Sequence, residues 1–381
     1  MRTTISLPLT LLLLPACSPS RTILDYVNSS ETGEEQASST TEEEGGDTEE
    51  QEDEDGSSTT DDPLLDFGDG DTEQDPCVDV AWLTADDVYG LVGPAAHDGR
   101  LYWGEWSQGV DDPIPIHTWR QGQTILHSIA EPLAVSPSLV VDATYLYASG
   151  PDHTPYRFPV GGGFPQPVPP LPGYDLSSSE LELLEDHLYW LNHTAGEIRL
   201  IRTELSSLDS VVLLDELLGD QLAVSEEAGL FVIRAAGQST DILQVDPLFG
   251  TSEVLISVPA TSTNVGELYV AEDSLFVVYT SVDTAQVDRV TFDGVVTTLV
   301  EPGTYTLITH PLVFQDHLYF EFATSGFTWG RVGLDHEGVE PLFREGPYRW
   351  QPMVAFEDCL VYRVIYPMMG NNTTFEINVF P

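Results

Sequence analysis

From residue 77 onward, short apolar runs alternate with turns rich in Asp, Glu, Gly and Pro, and the alternation is periodic. The most constant part of each unit is a leucine, preceded by an acidic or small turn and followed by an aromatic or aliphatic residue. It reads Asp98-Gly99-Arg100-Leu101-Tyr102-Trp103, then Ala143-Thr144-Tyr145-Leu146-Tyr147, Glu185-Asp186-His187-Leu188-Tyr189-Trp190 and Glu227-Ala228-Gly229-Leu230-Phe231. It returns as Glu272-Asp273-Ser274-Leu275-Phe276, Gln315-Asp316-His317-Leu318-Tyr319 and Glu357-Asp358-Cys359-Leu360-Val361. The seven leucines lie 42 to 45 residues apart. A period of this size marks units that bury their apolar faces only against one another.

Within a unit the pattern is that of strands. A short apolar stretch such as Leu268-Tyr269-Val270 precedes the turn, the Leu-aromatic strand follows it, and alternating segments such as Ile198-Arg199-Leu200-Ile201 come next. No amphipathic helix stands out after residue 76, and only Asp209 to Gly219 is ambiguous. Three or four strands per unit, punctuated by Gly, Pro and Asp, predict an all-β chain folded as a single β-propeller. The motif tally predicts seven blades, with six also open.

The two ends of the repeat fit each other. After Leu360 the chain offers two more strands and stops, which leaves the last blade one strand short. Before the first motif, Val78-Asp79-Val80-Ala81-Trp82-Leu83 is a spare strand with nothing local to pair with. An N-terminal strand that completes the last blade would leave no open edge at the seam.

Residues 1–76 have a different character. Arg2 precedes an apolar run, Ile5 to Leu14, which is too short to cross a bilayer core of roughly 30 Å as a helix and has the length of a signal-peptide core. The following Leu14-Pro15-Ala16-Cys17 resembles the lipobox of bacterial lipoproteins, with Pro15 a departure from the small residue usual there. That resemblance implies cleavage after residue 16, acylation of Cys17 and, with Ser18 next, a place at the outer membrane of the cell envelope. The alternative is an ordinary secretory leader followed by an unrelated cysteine.

Residues 17–76 then form a tether. About a third of the chain's acidic residues fall here, without apolar periodicity. Such a segment cannot offset its conformational entropy by burial, and self-repulsion extends it. Asp69-Gly70-Asp71-Thr72-Glu73-Gln74-Asp75 alternates carboxylates as a Ca²⁺ loop would, but it lacks the Gly and distal Glu of an EF-hand, and a solvated linker is the other reading. The division expected is a leader (1–16), a tether (17–76) and a propeller (77–381).

With Cys17 acylated, Cys77 beside the spare strand and Cys359 in the last blade remain. In an exported protein they are expected to form a disulfide across the seam, two free buried thiols being the alternative.

Composition narrows the chemistry. The formal net charge is −50, and all 13 basic residues are Arg, with no Lys. That excludes Schiff-base lysines and lysine-dependent phosphate loops. The acidic field opposes nucleic acid and anionic headgroups, which leaves cations, glycans, peptides and basic protein patches as partners, and a lipid anchor as the expected membrane contact.

Leu188-Tyr189-Trp190 with Gly196-Glu197-Ile198-Arg199 resembles the YWTD-type propeller repeat of low-density-lipoprotein-receptor-like proteins. The Thr-Asp half of that motif is absent, since Gly104 follows Trp103 and Leu191 follows Trp190. The resemblance implies the fold and says little about the ligand. Those receptors have six blades.

Residues repeated in every unit are expected to pack blades together, so Leu-Tyr-Trp is assigned to the core rather than to a sugar platform. Asp186, Asp273, Asp316 and Asp358 are expected to be turn residues, and His187 and His317 surface turn residues. Function should lie where the units differ. Counting back eight or nine residues from each leucine reaches the central channel mouth and gives Glu180, Gln221, Glu267, His310 and Gln351. Glu180, Glu267 and His310 could hold a divalent cation such as Ca²⁺, and a hydrated polar channel is the alternative. No cofactor is otherwise implied. No Gly-x-Ser-x-Gly or His-Glu-x-x-His is present. The expected function is an envelope-anchored, monomeric binding or scaffold module for an envelope protein, peptide or glycan. A metal-assisted hydrolase or lactonase at the channel mouth is the alternative, and the sequence leaves catalysis open.

Overall fold

Each acidic turn closes a hairpin between the first and second strands of its unit. His97 pairs with Arg100, Leu184 with His187, Ala271 with Ser274 and Phe314 with His317, so two residues reverse the chain each time. The first of the two, Asp98, Glu185, Glu272 or Gln315, has φ between 47° and 53°. Tight hairpins need this left-handed geometry, which disfavours β-branched residues at that position.

The computed structural model describes residues 90–380, with breaks at 107–113, 121–126, 134–138, 150–153, 170, 172–177, 195–196, 220, 260–263, 282–283, 324–326, 336–337, 343–348, 351–353, 357–358 and 368–372. The leader, Cys17, the tether, the Asp69 to Asp75 stretch and the spare strand with Cys77 lie outside the described residues. No helix occurs among those described. The ambiguous stretch is a strand, Ser210–Leu217.

The strands form seven sheets, six of them antiparallel meanders of four consecutive strands. The blades span 90–133, 139–167, 178–217, 222–259, 264–305, 307–341 and 349–380. The seventh has an inner strand in two pieces, Arg349–Trp350 and Val354–Phe356, both paired with Cys359–Pro367, and then Thr373–Phe380. Among the described residues nothing pairs with the outer side of Thr373–Phe380, so this blade is one strand short. The first strand of every blade touches the first strand of the next, and Val354–Phe356 touches Gly90–His97 to close the ring. The molecule is a single β-propeller.

The repeat motif follows from how blades stack. All seven leucines lie on the second strand of their blade, each no more than 2% exposed. Successive residues on a strand face opposite sides, so the leucine and the next residue serve different neighbours. Leu188 and Trp190 pack with Tyr147 of the second blade, whereas Tyr189 and Leu191 pack with Leu222 and Leu230 of the fourth. Leu275 and Val277 face the fourth blade, and Phe276 and Val278 the sixth. The core is therefore a set of apolar layers between neighbouring blades. Trp103 and Trp190, each 1% exposed, belong to it.

Arginines fasten the outer parts. On the third strand of the second blade, Arg157 donates to the Leu205 carbonyl of the third blade (3.1 Å) and lies over the Tyr145 ring (4.5 Å). In the equivalent position one blade on, Arg202 donates to the carbonyls of Pro247 and Leu248 of the fourth blade (3.3 and 2.7 Å).

Candidate functional site in the central channel

The inner strands carry an extra residue at one recurring place. Their register with the second strand shifts between Val92 and Ala95, between Ser178 and Leu181, between Val265 and Glu267, and between Thr309 and Leu312. In the seventh blade, going from Trp350 to Val354 advances four residues, while the partners Val364 to Val361 advance three. Such a bulge bends the strand and leaves a backbone group out of the ladder.

Counting eight residues back from the repeat leucine lands at this bulge for Glu180, Glu267 and His310, while Gln221, nine back, just precedes the unbulged inner strand of the fourth blade. The side chains of Glu180, Gln221 and Glu267 reach sideways to the next inner strand. Leu222 N–H donates to Glu180 Oε2 (2.7 Å), Leu268 N–H to Gln221 Oε1 (3.3 Å) and His310 N–H to Glu267 Oε2 (2.7 Å). Three of the residues picked as unlike channel groups, Glu180, Gln221 and Glu267, thus share one architectural task, tying successive blades together around the axis. Gln351 lies outside the described residues. Glu180, Glu267 and His310 are not drawn into one cluster. Among the described residues no three of His, Cys, Asp or Glu gather as a metal-binding group.

His310 has a second set of neighbours. Its backbone is left-handed (φ 55°), and its ring Nδ1 stands 3.6 Å from Glu321 Oε2, which also accepts from Thr309 Oγ1 (3.2 Å). Burial disfavours the imidazolium, but the bond to Glu321 and the charges of Glu267 and Glu321 outweigh it, so the His310 pKa is raised. Burial raises the Glu267 carboxyl as well, against the lowering pull of His310. The His310 side chain is deep in the molecule and yet 40% exposed, as expected for a group on a water-filled channel.

Two residues further along lies a layer that sequence reasoning missed. Opposite the residue after each repeat leucine stand Ala95, Val140, Glu182, Ala223, Tyr269, Leu312 and Val354, with Ala223 buried and the others half-buried. The residues just before several of them, Leu139, Leu181, Leu222 and Leu268, are buried between blades. Glu182 and Tyr269 belong to the third and fifth blades, with the fourth between them. Tyr269 turns toward the sixth blade, its ring 6.4 Å from that of Phe276 in the apolar layer between the fifth and sixth blades. Burial alone raises the Glu182 carboxyl to about 7, and burial raises the Tyr269 phenol to about 12, against a hydrogen bond with the backbone of Val313. The signal was present in the sequence, as two polar residues in an otherwise aliphatic column of the aligned repeats.

At the end of the channel where the first hairpins turn, the surface is acidic. Asp98, Glu185, Asp186, Glu226, Glu227, Glu272, Asp273 and Asp316 are all exposed. Asp273 pairs with Arg289 (3.0 Å). A cleft of about 560 Å³ lies between the turns of the fourth and fifth blades, lined by Glu226, Glu227, Glu272 and Asp273. Another of about 530 Å³ separates the third and fourth, with Glu185, Asp246 and Glu253 on its walls and Leu248 beside Tyr189. His187 and His317 are not surface residues of these turns. Each starts a second strand, half-buried, with its ring near Tyr189 or Tyr319 (6.1 and 6.3 Å).

No family model matches the sequence, and no curated protein matches it. Among solved structures the chain is similar to YCF48 bound to D1 peptide, with a TM-score of 0.56 and 11% identity over 79% of this chain and 96% of that one. YCF48 from Cyanidioschyzon merolae gives 0.55 and 11%, covering 78% and 99%. A puromycin-hydrolyzing peptidase of Mycobacterium tuberculosis gives 0.55 and 14%, covering 75% of this chain and 52% of that one, so the chain spans about half the peptidase's length. Oligogalacturonate lyase in complex with manganese gives 0.55 and 8%, covering 79% and 97%. Binding proteins and enzymes both occur among these neighbours, and at such identities the likeness is one of architecture. What it establishes for this chain is the β-propeller fold.

Proposed function

We propose that this protein is a lipid-anchored envelope lipoprotein whose propeller binds a partner protein or peptide through a basic segment. Acylated Cys17 holds the chain at the membrane, and the acidic tether carries the propeller away from it. The observation that carries the reading is the ring of exposed carboxylates on the first hairpin turns, opened by the two clefts. Like charges concentrated on one rim attract a cationic partner and speed its encounter. The bulge residues support binding over catalysis, because their acceptors already hold the neighbouring inner strands. YCF48 with D1 peptide illustrates a propeller of this architecture in a peptide complex.

The absence of lysine gives a clean test. A carbodiimide joins carboxylates to primary amines, and this chain has no lysine to offer. Lysine cross-links formed by the full-length protein in intact envelopes therefore report partners. Mass spectrometry should place them on the peptides containing Glu185, Glu226, Glu227 and Glu272. Cross-links confined to residues 41–55, or spread evenly over all exposed carboxylates, would overturn the reading.

A further inference from the structure

We propose that an apolar strip on the outer flank of the acidic rim, running across the third to fifth blades, docks apolar side chains carried by the partner's basic segment. The proposal rests on the partner reading above and deepens it, because it states what that segment carries besides charge. Consecutive strands of a blade run in opposite directions, so the turn between the third and fourth strands lies at the same end as the acidic hairpin, farther from the axis. In the fourth blade this turn displays Leu248 and Phe249, the latter 79% exposed, and in the fifth it displays Val295. Each of these turns leans on the outer strand of the blade before it. A Cβ on Gly250 would come 2.5 Å from the Leu213 carbonyl oxygen, and one on Gly294 would come 3.3 Å from that of Leu255. Beside them, Val211 and Val212 at the start of Ser210–Leu217 and Val254 near the start of Ser252–Pro259 are also exposed. Turn and strand thus alternate from blade to blade, and most of the large apolar side chains exposed among the described residues gather in this one strip.

The most prominent part of the strip is held in place. Asp246 Oδ1 accepts from the N–H groups of Leu248 and Phe249 (2.9 and 2.8 Å), and the Gly250 N–H donates to the Asp246 carbonyl (3.0 Å). Arg202 grips the Pro247 and Leu248 carbonyls from the third blade. These bonds fix a turn that keeps two large apolar side chains in water. Neighbouring exposed apolar groups of this kind mark interaction surfaces, and a turn already ordered loses little entropy on binding. Charge selects the occupant. Leu248 is also a wall of the cleft of about 530 Å³ between the third and fourth blades, where Glu185, Glu226, Glu227 and Glu253 stand. A segment lying on the strip therefore has carboxylates beside it. Anionic headgroups, or a second copy of a chain with net charge −50, meet repulsion there, whereas a segment with arginine or lysine next to its apolar residues meets attraction.

Three peptides separate the apolar contribution from the charge. They are fluorescein-Arg-Leu-Arg-Phe-Gly-Arg-Leu-Arg-amide, the same chain with Gly for Leu and Phe, and the same chain with Gln for Arg. Each is titrated with the full-length protein by fluorescence polarisation. The first should bind about tenfold tighter than either of the others, the change that burying one or two such side chains corresponds to. The double variant Leu248→Ser/Phe249→Ser should bring the first peptide down to the affinity of the second. Phe164→Ser, at an exposed phenylalanine of the second blade outside the strip, should leave it unchanged. Hydrogen exchange in the wild-type protein should show residues 246–256 and 293–297 better protected by the first peptide than by the second, a readout that needs no variant. Equal affinity of the two Arg peptides, or affinity unchanged in the double variant, would overturn the strip and leave the basic-partner reading standing. Equal affinity of the Gln peptide and the first would overturn the charge requirement that both share. Protection of the same amides by phosphatidylcholine vesicles without peptide would assign the strip to a bilayer, and self-association abolished in the double variant would assign it to a second copy. Either result overturns the proposal.

Discussion

The carboxylate of Glu267 accepts a hydrogen bond from the backbone N–H of His310, 2.7 Å away in the next blade. Glu180 does the same for Leu222, also at 2.7 Å. In each case the preceding blade supplies the acceptor; for His310 the donor lies within a bulge of its inner strand.

Replacing Glu180 by Ala should therefore destabilise the propeller by about 1 kcal/mol, through loss of the acceptor of a half-buried N–H, and Glu267→Ala by less, because the His310 N–H is exposed. Glu180→Gln keeps an acceptor oxygen in reach and should recover most of the loss. Urea unfolding of the three variants measures this, and a neutral Glu180→Ala would show the bond to be dispensable.

Stability should fall as the pH rises through neutrality. The folded protein holds the Glu182 proton up to about 7, while the ordinary value is 4.5. The contribution of this group is whole below pH 4.5 and is lost as the pH passes 7. The interval corresponds to about 3 kcal/mol at most. The raised values of Glu267 and His310 act with the same sign. The lowered carboxyl of Asp273 acts oppositely, losing its contribution as the pH falls through the acidic range. Unfolding curves of wild type and Glu182→Gln between pH 4.5 and 8 should diverge, the variant having the flatter profile.

Arg202 tests the outer fastening. Arg202→Ala should cost about 1–2 kcal/mol and raise amide hydrogen exchange in the turn around Leu248 more than elsewhere. Arg202→Lys should rescue little, because a single ammonium does not reproduce the guanidinium's reach to two carbonyls.

Gly250 marks a close approach between blades. Its φ is +67°, and a Cβ there would meet the Leu213 carbonyl oxygen at 2.5 Å. Gly250→Ala should destabilise by more than about 1 kcal/mol, since backbone faces backbone and neither can give way. A thermal melt within a degree of wild type would contradict this.

We further expect Cys77 and Cys359 to be joined, with Val78 to Leu83 lying along Thr373–Phe380. Non-reducing peptide mapping should find the linked pair. Cys359→Ser should lose up to roughly 5 kcal/mol on the chain-entropy account.

Much of the architecture was legible in the chain because it repeats. A period of 42 to 45 residues places Leu101, Leu188, Leu318 and their counterparts in one environment, and alternation along a strand assigns the leucine and the next residue to opposite neighbours. Counting back from those leucines found the bulge positions, including Glu180, Glu267 and His310. It did not find what they do, because a hydrogen bond to the next blade depends on how far apart two inner strands come to rest. The burial that raises the carboxyl of Glu182 was hidden for the same reason. The chain by itself determined the strands, the turns and the apolar sides of each blade, since these follow from local period and backbone preference. The tertiary structure alone decided which polar side chains look into the channel and which tie blades together, because both depend on the radius and closure of the ring.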